Sequence, residues 1–499
     1  MNSNQKNVLF VFPNTANYPA IPGAIPILSS VAKAMNFDVD YFDTYSYEKE
    51  KDSFQDRQLS GEFKSHDYTS EVKSFNDLVC DLQLKIDSNS PDIIAITAMS
   101  FEFIFLMNFW YSLKIPNNCK VIIGGLHSIL KPDEVVNTKL FDIVAIGEGE
   151  VTFRQCLENI DNLDALMEID NIYFFDKAND KIYRNKKSEL ISKEELWDVE
   201  PDFAFFDSKY FLYPFDGKMY KRYGFEVSRG CPYSCTYCGN TALKEVYKGL
   251  GKFVRLRPLS SIKRDMVKMI QEYDIELFYI EDECFLCHPV KWIDEFASWY
   301  GKEVKKPFIV QTRPETVTQE KLDLLKKMNA PFYQVSAGIE SGSEEILFNV
   351  CNRRTKVDKI IESFDLLHKN DIRSSAFFMI GFPYETKEDI WKSINLCRRI
   401  NATVSIVSTF QPLPGQKLRD VCIDEGFIIG DEKLTTFTAK SILKMPQITA
   451  DEIFNLKRVF MLYAYLPEEY YPEIKKCEDD YENNKELYEE LVKTRWQIA

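Results

Sequence analysis

The sequence lacks an excess of positive charge. Its 499 residues include 62 Lys and Arg against 77 Asp and Glu, which gives a formal net charge of -15. Proteins that bind the phosphate backbone of nucleic acids usually present a basic surface, so the composition argues against nucleic acid as a partner. Hydrophobic residues at 45% and charged residues at 28% are typical of a globular chain. The length predicts more than one domain.

Long hydrophobic runs are also missing. The longest apolar stretch, FEFIFLMNFWYSL from Phe101, is shorter than the ~20 residues that a membrane-spanning helix needs. The first residues, MNSNQKNVLFVF, do not have the layout of a signal peptide and lead into a strand-like run. We therefore expect no membrane span and a cytoplasmic location. In a reducing compartment most of the twelve cysteines would be buried thiols, and a tight cluster of them would indicate metal.

Two common nucleotide-binding motifs are absent. The segment after the first strand pattern is FPNTANYPAIPG, which lacks the Gly-x-Gly-x-x-Gly of a dinucleotide site. The segment GLGKF, from Gly249, is not a phosphate-binding P-loop, because its first glycine is misplaced and Phe253 stands where Ser or Thr is required. Both absences disfavour a nicotinamide or nucleoside triphosphate site.

Residues 1–160 alternate between strand and helix patterns. The candidate strands are NVLFVF, DVDYFDT, PDIIAITAMS, KVIIGG and FDIVAIG. Apolar strands separated by helices predict an α/β domain with a doubly wound parallel sheet of the Rossmann-like type. Ligands bind such sheets beyond the carboxyl ends of the strands. Each strand end alone is typical of a tight turn, but four polar or glycine-rich ends on one edge indicate a ligand site. The candidate binding residues at these ends are Asn14, Ser100, Gly124, Gly125, His127, Gly147, Glu148 and Gly149.

The rest of the chain divides into three parts. Residues 161–215 read as a linker that includes a hairpin, NIYFFDKANDKIYRN. Residues 216–416 contain six strand patterns separated by helix patterns: GFEVS, IELFYIED, PFIVQTR, FYQVSAGIE, SSAFFMIGF and TVSIVSTFQ. Six units predict a partial (β/α)6 barrel, because a complete barrel of this type has eight. Residues 417–499 are predicted to form a helical, acidic C-terminal region.

Three cysteines lie close together in SRGCPYSCTYCGN, at Cys231, Cys235 and Cys238. They follow the first strand of the predicted barrel and therefore lie at its carboxyl end, where active sites form. A structural zinc site uses four protein ligands, and no fourth ligand is evident nearby. A four-iron cluster needs one ligand per iron, so three thiolates would leave one iron open to an exogenous ligand.

The Cys-x3-Cys-x2-Cys spacing resembles the signature of the radical S-adenosylmethionine (SAM) family. The resemblance implies a 4Fe-4S cluster on the three cysteines, SAM bound to the open iron, and an external one-electron reductant such as flavodoxin or ferredoxin. The segments EDECF, QTRPE, AGIESGSEEIL, FMIGFPYET and FQPLPGQKL are similar to further family motifs. They imply SAM contacts from Tyr237 to the adenine, from Glu281, Asp282 and Glu283 to the methionyl amino group, from Arg313 to the carboxylate, from Glu340 to the ribose, and from the segments around Gly381, Pro383, Pro412, Pro414 and Gly415.

The N-terminal part has its own resemblance. GGLHSILKPDEVV followed by FDIVAIGEGEVTF is similar to the cobalamin-binding domain that precedes many radical SAM cores. None of the four histidines carries the Asp-x-His-x-x-Gly motif that supplies a cobalt ligand, and members of the resembled subgroup usually lack one. The same absence would be expected of a domain that has lost cobalamin. His127 would hydrogen-bond a corrin amide or cap the following turn.

Together these resemblances cover residues 7–416 and imply a function. The chain is expected to be a cobalamin-dependent radical SAM enzyme that methylates an unactivated carbon of a small molecule or peptide by means of a 5′-deoxyadenosyl radical. Radical cyclisation or rearrangement without methyl transfer is one alternative, and a non-enzymatic iron–sulfur or zinc protein is another. No residue can be assigned to substrate catalysis from the sequence.

A second cysteine motif is CFLCH, from Cys284 to His288. Its Cys-x2-Cys-His spacing can mark haem attachment, which belongs to exported proteins. We therefore expect semi-buried thiols near the active site, with a second cluster as the alternative.

Overall fold

The computed structural model describes residues 5–49, 57, 60, 62, 72–430, 434 and 436–498. The chain folds into two compact units. The first comprises Met1–Asp52, Tyr68–Phe211 and Ala242–Met266, and the second comprises Ser53–Asp67, Leu212–Thr241 and Val267–Ala499.

A seven-stranded sheet forms the centre of the first unit. Its strands are β1 (Asn7–Phe12), β2 (Asp38–Asp43), β3 (Ile93–Thr97), β4 (Lys120–Gly124), β5 (Ile143–Ala145), β6 (Ile172–Asp176) and β7 (Lys181–Arg184). They are ordered β2-β1-β3-β4-β5-β6-β7, and the first five are parallel. Across the sheet, β2 lies on one side of β1 and β3 lies on the other, so the strand order reverses at β1. This reversal places helices on both faces of the sheet, and the predicted doubly wound fold is confirmed.

Helices cover this sheet because their apolar residues recur at helical spacing. Helix Phe75–Asn89 buries Leu78, Leu82 and Ile86, and the side chain of Ser74 caps its first turn in a reciprocal pair with Asp77. The other helices that begin in this unit are Ala24–Ala34, Ser100–Trp110, Leu126–Leu130, Pro132–Asn137, Gly149–Asn159, Leu163–Glu168, Lys193–Leu196 and Leu259–Tyr273.

The predicted hairpin is present as β6 and β7, and it extends the first sheet. β6 pairs antiparallel with β5, with Ile143 opposite Phe174, and β7 pairs antiparallel with β6. The rings of Phe174 and Tyr183 stack at a centroid distance of 4.7 Å. The hairpin thus covers the edge that β5 would otherwise expose.

The second unit contains another seven-stranded sheet. It starts with the antiparallel pair β8 (Leu212–Phe215) and β9 (Lys218–Phe225). The two-residue strands β10 (Ser228–Arg229), in the second unit, and β11 (Arg255–Leu256), in the first, lie outside the two large sheets. The second sheet continues with β12 (Leu277–Ile280), β13 (Phe308–Thr312), β14 (Tyr333–Glu340), β15 (Arg373–Ile380) and β16 (Val404–Thr409).

Strand β9 and strands β12 to β16 run parallel, in sequence order across the sheet. This arrangement confirms the predicted partial barrel of six parallel strands. The helices and short helical turns of the second unit are Gly239–Val246, which runs on past the boundary of the unit, Phe285–Cys287, Val290–Glu303, Pro314–Thr316, Gln319–Lys327, Ile346–Val350, Val357–Lys369 and Lys387–Ile400.

The chain ends in helices, as the sequence predicts. They are Lys417–Asp424, Ala450–Tyr465, Tyr471–Asp479 and Lys485–Ile498. Helix Ala450–Tyr465 packs on the barrel, where Phe460 lies 5.6 Å from Phe378 of β15 between ring centroids. None of the helices in the described ranges combines the length and apolar character needed to cross a membrane.

Candidate active site

The three clustered cysteines lie on one loop of the second unit, after β9 and β10. Cys235 is buried, and Cys231 and Cys238 are half-buried. The loop is held by the segment after β14: the Thr236 hydroxyl donates to the Val350 carbonyl at 2.5 Å. At its C-terminal end, the Thr241 hydroxyl donates to the Cys235 carbonyl at 2.7 Å. The thiols are therefore fixed at the carboxyl end of the first parallel barrel strand, as predicted.

Burial raises the pKa of Cys231 to about 12 and that of Cys238 to about 11. A bound metal reverses this effect, because coordination stabilises the thiolate. Within the described residues, no three His, Cys, Asp or Glu side chains form a group that could hold a single metal ion. A four-iron cluster does not require such convergence, since each iron takes one thiolate. The three free thiols thus fit the donor set of a cluster with one open iron.

Arg313, which follows β13, lies beside the cysteine loop. Its Nη1 is 3.5 Å from the Cys235 sulfur, and its guanidinium carbon lies 3.8 Å from the centroid of the Tyr233 ring. Glu315 accepts a hydrogen bond from Nε at 2.5 Å. Arg313 thus places a positive charge next to the position where a thiolate would form.

Tyr237 and Glu340, predicted to contact the adenine and the ribose, are joined by a buried arginine. Arg353 Nη1 lies 3.1 Å from the Tyr237 hydroxyl and 3.1 Å from Glu340 Oε1. Its Nη2 donates to the Gly338 carbonyl at 2.7 Å. Burial raises the pKa of Glu340, and the attraction of Arg353 opposes this shift.

The backbone conformation around Glu340 leaves room for the contact between its carboxylate and Arg353. Glu340 has φ +69°, in the left-handed region that non-glycine residues rarely adopt, and a β-bulge lies between Gly338 and Glu340. A Cβ on Gly338 would lie 2.6 Å from Glu340 Oε1. Sequence reasoning missed Arg353, because the doublet Arg353–Arg354 does not reveal which member is buried.

The three acidic residues after β12 lie in different environments, and the Glu281 carboxylate lies against Gly224 of β9. Asp282 is buried and fully engaged: its oxygens accept from the Ser228 hydroxyl at 3.0 and 3.1 Å, and one lies 2.5 Å from His288 Nε2. Glu283 faces the cysteine loop, where its charge raises the pKa of Cys231 and Cys238. Surrounding protein raises the pKa of Glu283 although its side chain stays accessible. Glu283, rather than Asp282, therefore has oxygens available near the thiols.

The glycine-proline segment after β15 is held by a residue that sequence reasoning did not single out. Glu385 is buried, and its Oε2 accepts from the backbone N–H of Gly381 at 2.5 Å and of Phe382 at 3.2 Å. Gly381 has φ +82°, so a side chain there would be strained. The Phe382 ring lies 5.6 Å from that of Tyr237. The sequence could have indicated Glu385, because it lies two residues after Pro383 within the predicted glycine-proline segment.

The segment after β16 is also rigidly turned. Gly415 has φ +79°, and the Pro412 carbonyl accepts from Arg419 Nη1 at 2.7 Å. Pro414 lies between Pro412 and Gly415. The structure places this segment after the sixth parallel strand, as the sequence predicts.

Two of the candidate residues in the first unit come together. Ser100 follows β3 and His127 follows β4, and Ser100 Oγ lies 3.1 Å from His127 Nδ1. The imidazole is buried and stacks on Phe103 at 4.2 Å between centroids. Its Nε2 is 3.6 Å from Glu134 Oε1 and makes no hydrogen bond with a described residue. An unsatisfied buried nitrogen at the carboxyl edge of the sheet is available to a ligand.

The other candidates at this edge make contacts within the protein. Asn14 is buried, and its side chain donates to the Tyr18 carbonyl at 3.1 Å. The carboxylate of Glu148 forms a bidentate ion pair with Arg255 at 2.6 and 2.8 Å. Gly124, Gly147 and Gly149 lie at the predicted strand and helix ends, and a Cβ on Gly147 would lie 2.6 Å from the side chain of Asn171.

Gly125 shows a second reason for glycine at a strand end. It has φ +99°, and a Cβ there would lie 2.6 Å from the backbone oxygen of Ala98. The close approach predicted for a ligand is therefore made by the backbone of Ala98, just after β3, where Gly125 turns the chain from β4 into the following helix.

Two further acidic residues at this edge were missed. Asp43 ends β2 and accepts from the Tyr41 hydroxyl at 3.1 Å and from the Tyr45 N–H at 2.9 Å. Glu102 caps its own helix through the Met99 N–H at 2.7 Å. Burial raises the pKa of Asp43 and of Glu102 to about 7. The position of Asp43 at a strand end was a usable signal.

The CFLCH motif forms a tight turn. Cys284 is buried and Cys287 half-buried, and the Cys287 N–H donates to the Cys284 carbonyl at 3.0 Å. His288 is occupied by Asp282. The charge of Cys284 raises the pKa of Cys231, which indicates that this turn lies near the cysteine loop.

Comparison with known proteins gives matches at the sequence level. Residues 225–397, which include the three cysteines, match the radical SAM superfamily. An uncharacterised methyltransferase of Pyrococcus horikoshii is 23% identical over 396 residues, which cover 77% of this chain and 81% of the relative. An anaerobic magnesium-protoporphyrin IX monomethyl ester cyclase of Rubrivivax gelatinosus is 23% identical over 423 residues, which cover 82% of this chain and 73% of the relative.

A solved structure matches at the level of the fold. It is the radical S-adenosylmethionine methyltransferase TsrM from Kitasatospora setae, with cobalamin and a [4Fe-4S] cluster bound. The TM-score is 0.60 at 16% identity, and the match covers 84% of this chain and 76% of that one. The likeness establishes a shared fold, and it spans both units described above.

Proposed function

Because residues 225–397 match the radical SAM superfamily, we propose that the chain is a cobalamin-dependent methyltransferase acting on an unactivated carbon of a small molecule or peptide. The observation that carries the proposal is the cysteine loop. Three thiols, none of them in a disulfide, lie on one short loop that follows the first parallel barrel strand.

Each thiol of this loop would hold one iron of a 4Fe-4S cluster, through Cys231, Cys235 and Cys238. Glu283 and Arg313 flank the loop with opposite charges, which match the amino and carboxylate groups of a methionyl moiety. The buried network of Tyr237, Arg353 and Glu340 would position the nucleoside. When bound, the cluster supplies the electron that cleaves SAM, and cobalamin supplies the methyl group.

Cobalamin would bind at the carboxyl edge of the first sheet. The relative TsrM was solved with cobalamin bound. His127 offers a buried nitrogen without a hydrogen bond among the described residues, and Ser100 fixes the orientation of its ring. We propose that the His127 imidazole hydrogen-bonds a polar group, such as an amide, at the edge of the corrin and does not ligate the metal.

The side chains of the chain itself mainly bind, orient and exclude water. Arg313 and Arg353 are both buried. Their positive charges would bind carboxylate and hydroxyl groups in a site from which bulk water is excluded. The substrate is proposed to be a small molecule or peptide. An external one-electron donor such as flavodoxin or ferredoxin is the proposed partner.

Cyclisation or another rearrangement is the second candidate. It is favoured by the similarity to the cyclase of Rubrivivax gelatinosus, which covers as much of the chain as the similarity to the methyltransferase of Pyrococcus horikoshii. The two candidates share the cysteine loop and the SAM-binding residues, so these residues do not separate them.

The test is anaerobic purification and reconstitution of the full chain, followed by iron, sulfide and cobalt analysis. We expect ~4 iron and ~4 sulfide per chain, and cobalt at about one per chain after loading. Reduced protein should convert SAM to 5′-deoxyadenosine. Methyl transfer additionally predicts S-adenosylhomocysteine, whereas a rearrangement produces none.

The cysteines provide matched variants. Cys235→Ala should lose the cluster and all SAM cleavage, whereas Cys80→Ala, at an exposed free cysteine, should keep both. Zinc in place of iron, or undiminished SAM cleavage by Cys235→Ala, would refute the proposal.

A further inference from the structure

The inner face of the partial barrel can be identified from the strands. Phe278 of β12 packs on Tyr300 of helix Val290–Glu303, so Phe278 faces the helical layer. Side chains alternate along a strand, and Tyr279 and Glu281 therefore face the opposite side, inside the barrel. In the register of β12 with β9, Tyr279 lies opposite Gly224, which places Arg222 and Gly224 on the same inner face.

Several polar side chains on this inner face are satisfied by one another. Gln311 donates to the Tyr279 hydroxyl. Gln334 donates to Ser336 at 3.1 Å and accepts from Arg373 Nε at 2.9 Å. These contacts leave little unused hydrogen-bonding capacity in their part of the barrel.

Two charges on the inner face are not used in this way. Neither the carboxylate of Glu281 nor the guanidinium of Arg222 makes a hydrogen bond or an ion pair with any residue that the structure describes. Arg222 attracts Glu281 electrostatically, yet the two groups are too far apart to form an ion pair. Glu281 remains accessible, and Arg222 is half-buried.

The surroundings keep both groups in place. The guanidinium of Arg222 lies 3.4 Å from the centroid of the Tyr213 ring and 5.1 Å from that of Tyr279. Stacking on aromatic faces leaves the N–H donors at the edge of the guanidinium free. The carboxylate of Glu281 lies over Gly224, where a Cβ would collide with it.

We propose that Arg222 and Glu281 bind a zwitterionic substrate group, with Arg222 contacting a carboxylate and Glu281 contacting a protonated amine, as in an α-amino acid. This inference rests on the proposed function, because it names the substrate class of the same barrel. A zwitterion is attracted by both charged side chains, whereas a simple cation would be repelled by Arg222 and a simple anion would be repelled by Glu281.

The charge balance of the site supports the pairing. Surrounding protein raises the pKa of Glu281 although its side chain stays accessible, and Arg222 lowers this pKa, so the arginine helps to keep the carboxylate ionised. The nearby Glu226 is occupied by Arg229, which donates to it at 3.3 Å. Glu281 is therefore the carboxylate of this face with free oxygens.

The test uses three probes of matched shape with the anaerobically reconstituted full chain. L-Norleucine carries both charges, 1-pentylamine lacks its carboxylate, and hexanoate lacks its amine. Binding is measured by saturation-transfer NMR titration with SAM in excess, so that norleucine cannot bind in place of the methionyl moiety at the cysteine loop. We expect norleucine to bind with a dissociation constant on the order of 1 mM, which is typical of so small a ligand. Each singly charged probe should bind at least about tenfold more weakly, since one charge-assisted contact is lost.

Variants assign the two contacts. Glu281→Gln should weaken norleucine at least about tenfold and leave hexanoate unchanged, and Arg222→Met should weaken norleucine similarly and leave pentylamine unchanged. Glu303→Gln and Arg399→Met, at exposed helix positions, are matched controls that should bind norleucine like the parent chain. If a variant loses its fold, Glu281→Asp and Arg222→Lys replace it, with the same charge and altered reach, and norleucine affinity should still fall.

The inference is overturned if norleucine shows no saturable binding, if a singly charged probe binds as tightly, or if the charge-removing variants bind norleucine like the parent chain. SAM cleavage is measured on the same samples. Loss of cleavage in the parent chain would contradict the proposed function, whereas intact cleavage without selective norleucine binding would contradict only the zwitterion site.

Discussion

Replacing Arg353 by Met should destabilise the second unit by about 3–5 kcal/mol, the usual cost of removing one partner from a buried ion pair. The side chains of Arg353 and Glu340 are only 4% and 13% exposed, so water cannot replace the lost contact. Three acceptors lose their donor together: Glu340, the Tyr237 hydroxyl and the Gly338 carbonyl. The adjacent Arg354→Met is the matched control, because Arg354 is exposed.

The assay is thermal unfolding of the full chain, followed by near-UV circular dichroism. For a unit of this size, a loss of 3–5 kcal/mol lowers the midpoint of its transition by roughly 10 °C. SAM affinity is measured in parallel by equilibrium dialysis, and we expect it to fall at least about tenfold, since Tyr237 and Glu340 lose their common anchor.

A double-mutant cycle tests the reasoning itself. Glu340→Gln removes the charge that Arg353→Met leaves unpaired, so the double variant should be less destabilised than the sum of the single variants by about 2 kcal/mol. If the two effects add to within about 0.5 kcal/mol, the residues do not act as a pair and the argument fails.

Three further predictions concern stability. Gly125→Ala should cost several kcal/mol in unfolding free energy, because φ is +99° and the added Cβ would meet backbone oxygen at 2.6 Å, while Gly23→Ala, with no atom within 4 Å, should be near neutral. Equal denaturant midpoints for the two variants would contradict this. Burial raises the pKa of Glu385 to about 8, above the ~4.3 of an unfolded chain. The folded state then binds the extra proton, so stability should fall as pH rises between these values, by up to roughly 1.4 kcal/mol per pH unit. Glu385→Gln should flatten this slope in urea unfolding at pH 5 to 8, and an unchanged slope would refute the assignment. Arg255→Met should lower the thermal midpoint of the first unit by stranding buried Glu148, and Arg255→Met/Glu148→Gln should recover part of the loss; no recovery would count against the ion pair.

The strand patterns were readable from the sequence because parallel strands covered by helices are continuously apolar. β1 and β3 illustrate this, since almost every residue in them is buried. β9 was recognised only at its end, as GFEVS, whereas the strand starts at Lys218. Its first half pairs with β8 in a hairpin and is exposed or half-buried, so no apolar pattern marks it.

The site was predictable where a motif fixes local geometry and unpredictable where contacts are long-range. The cysteine spacing identified a loop that the structure places after the first parallel barrel strand. The acidic segment from Glu281 to Glu283 could not be sorted, since successive residues after a strand point in different directions. Arg353 could not be found for another reason: 12 residues, which include the helical turn Ile346–Val350, separate it from Glu340, and its contacts with Glu340 and Gly338 are tertiary.

The pairing of the hairpin with β5 has a practical consequence for dissecting the molecule. A fragment ending at residue 160 would keep β1 to β5 but lose β6 and β7, leaving the short strand Ile143–Ala145 with unpaired backbone groups along one side. Bare strand edges recruit other chains, so such a fragment should self-associate, and the proposed binding of cobalamin is better assayed in protein that retains the chain at least through Arg184.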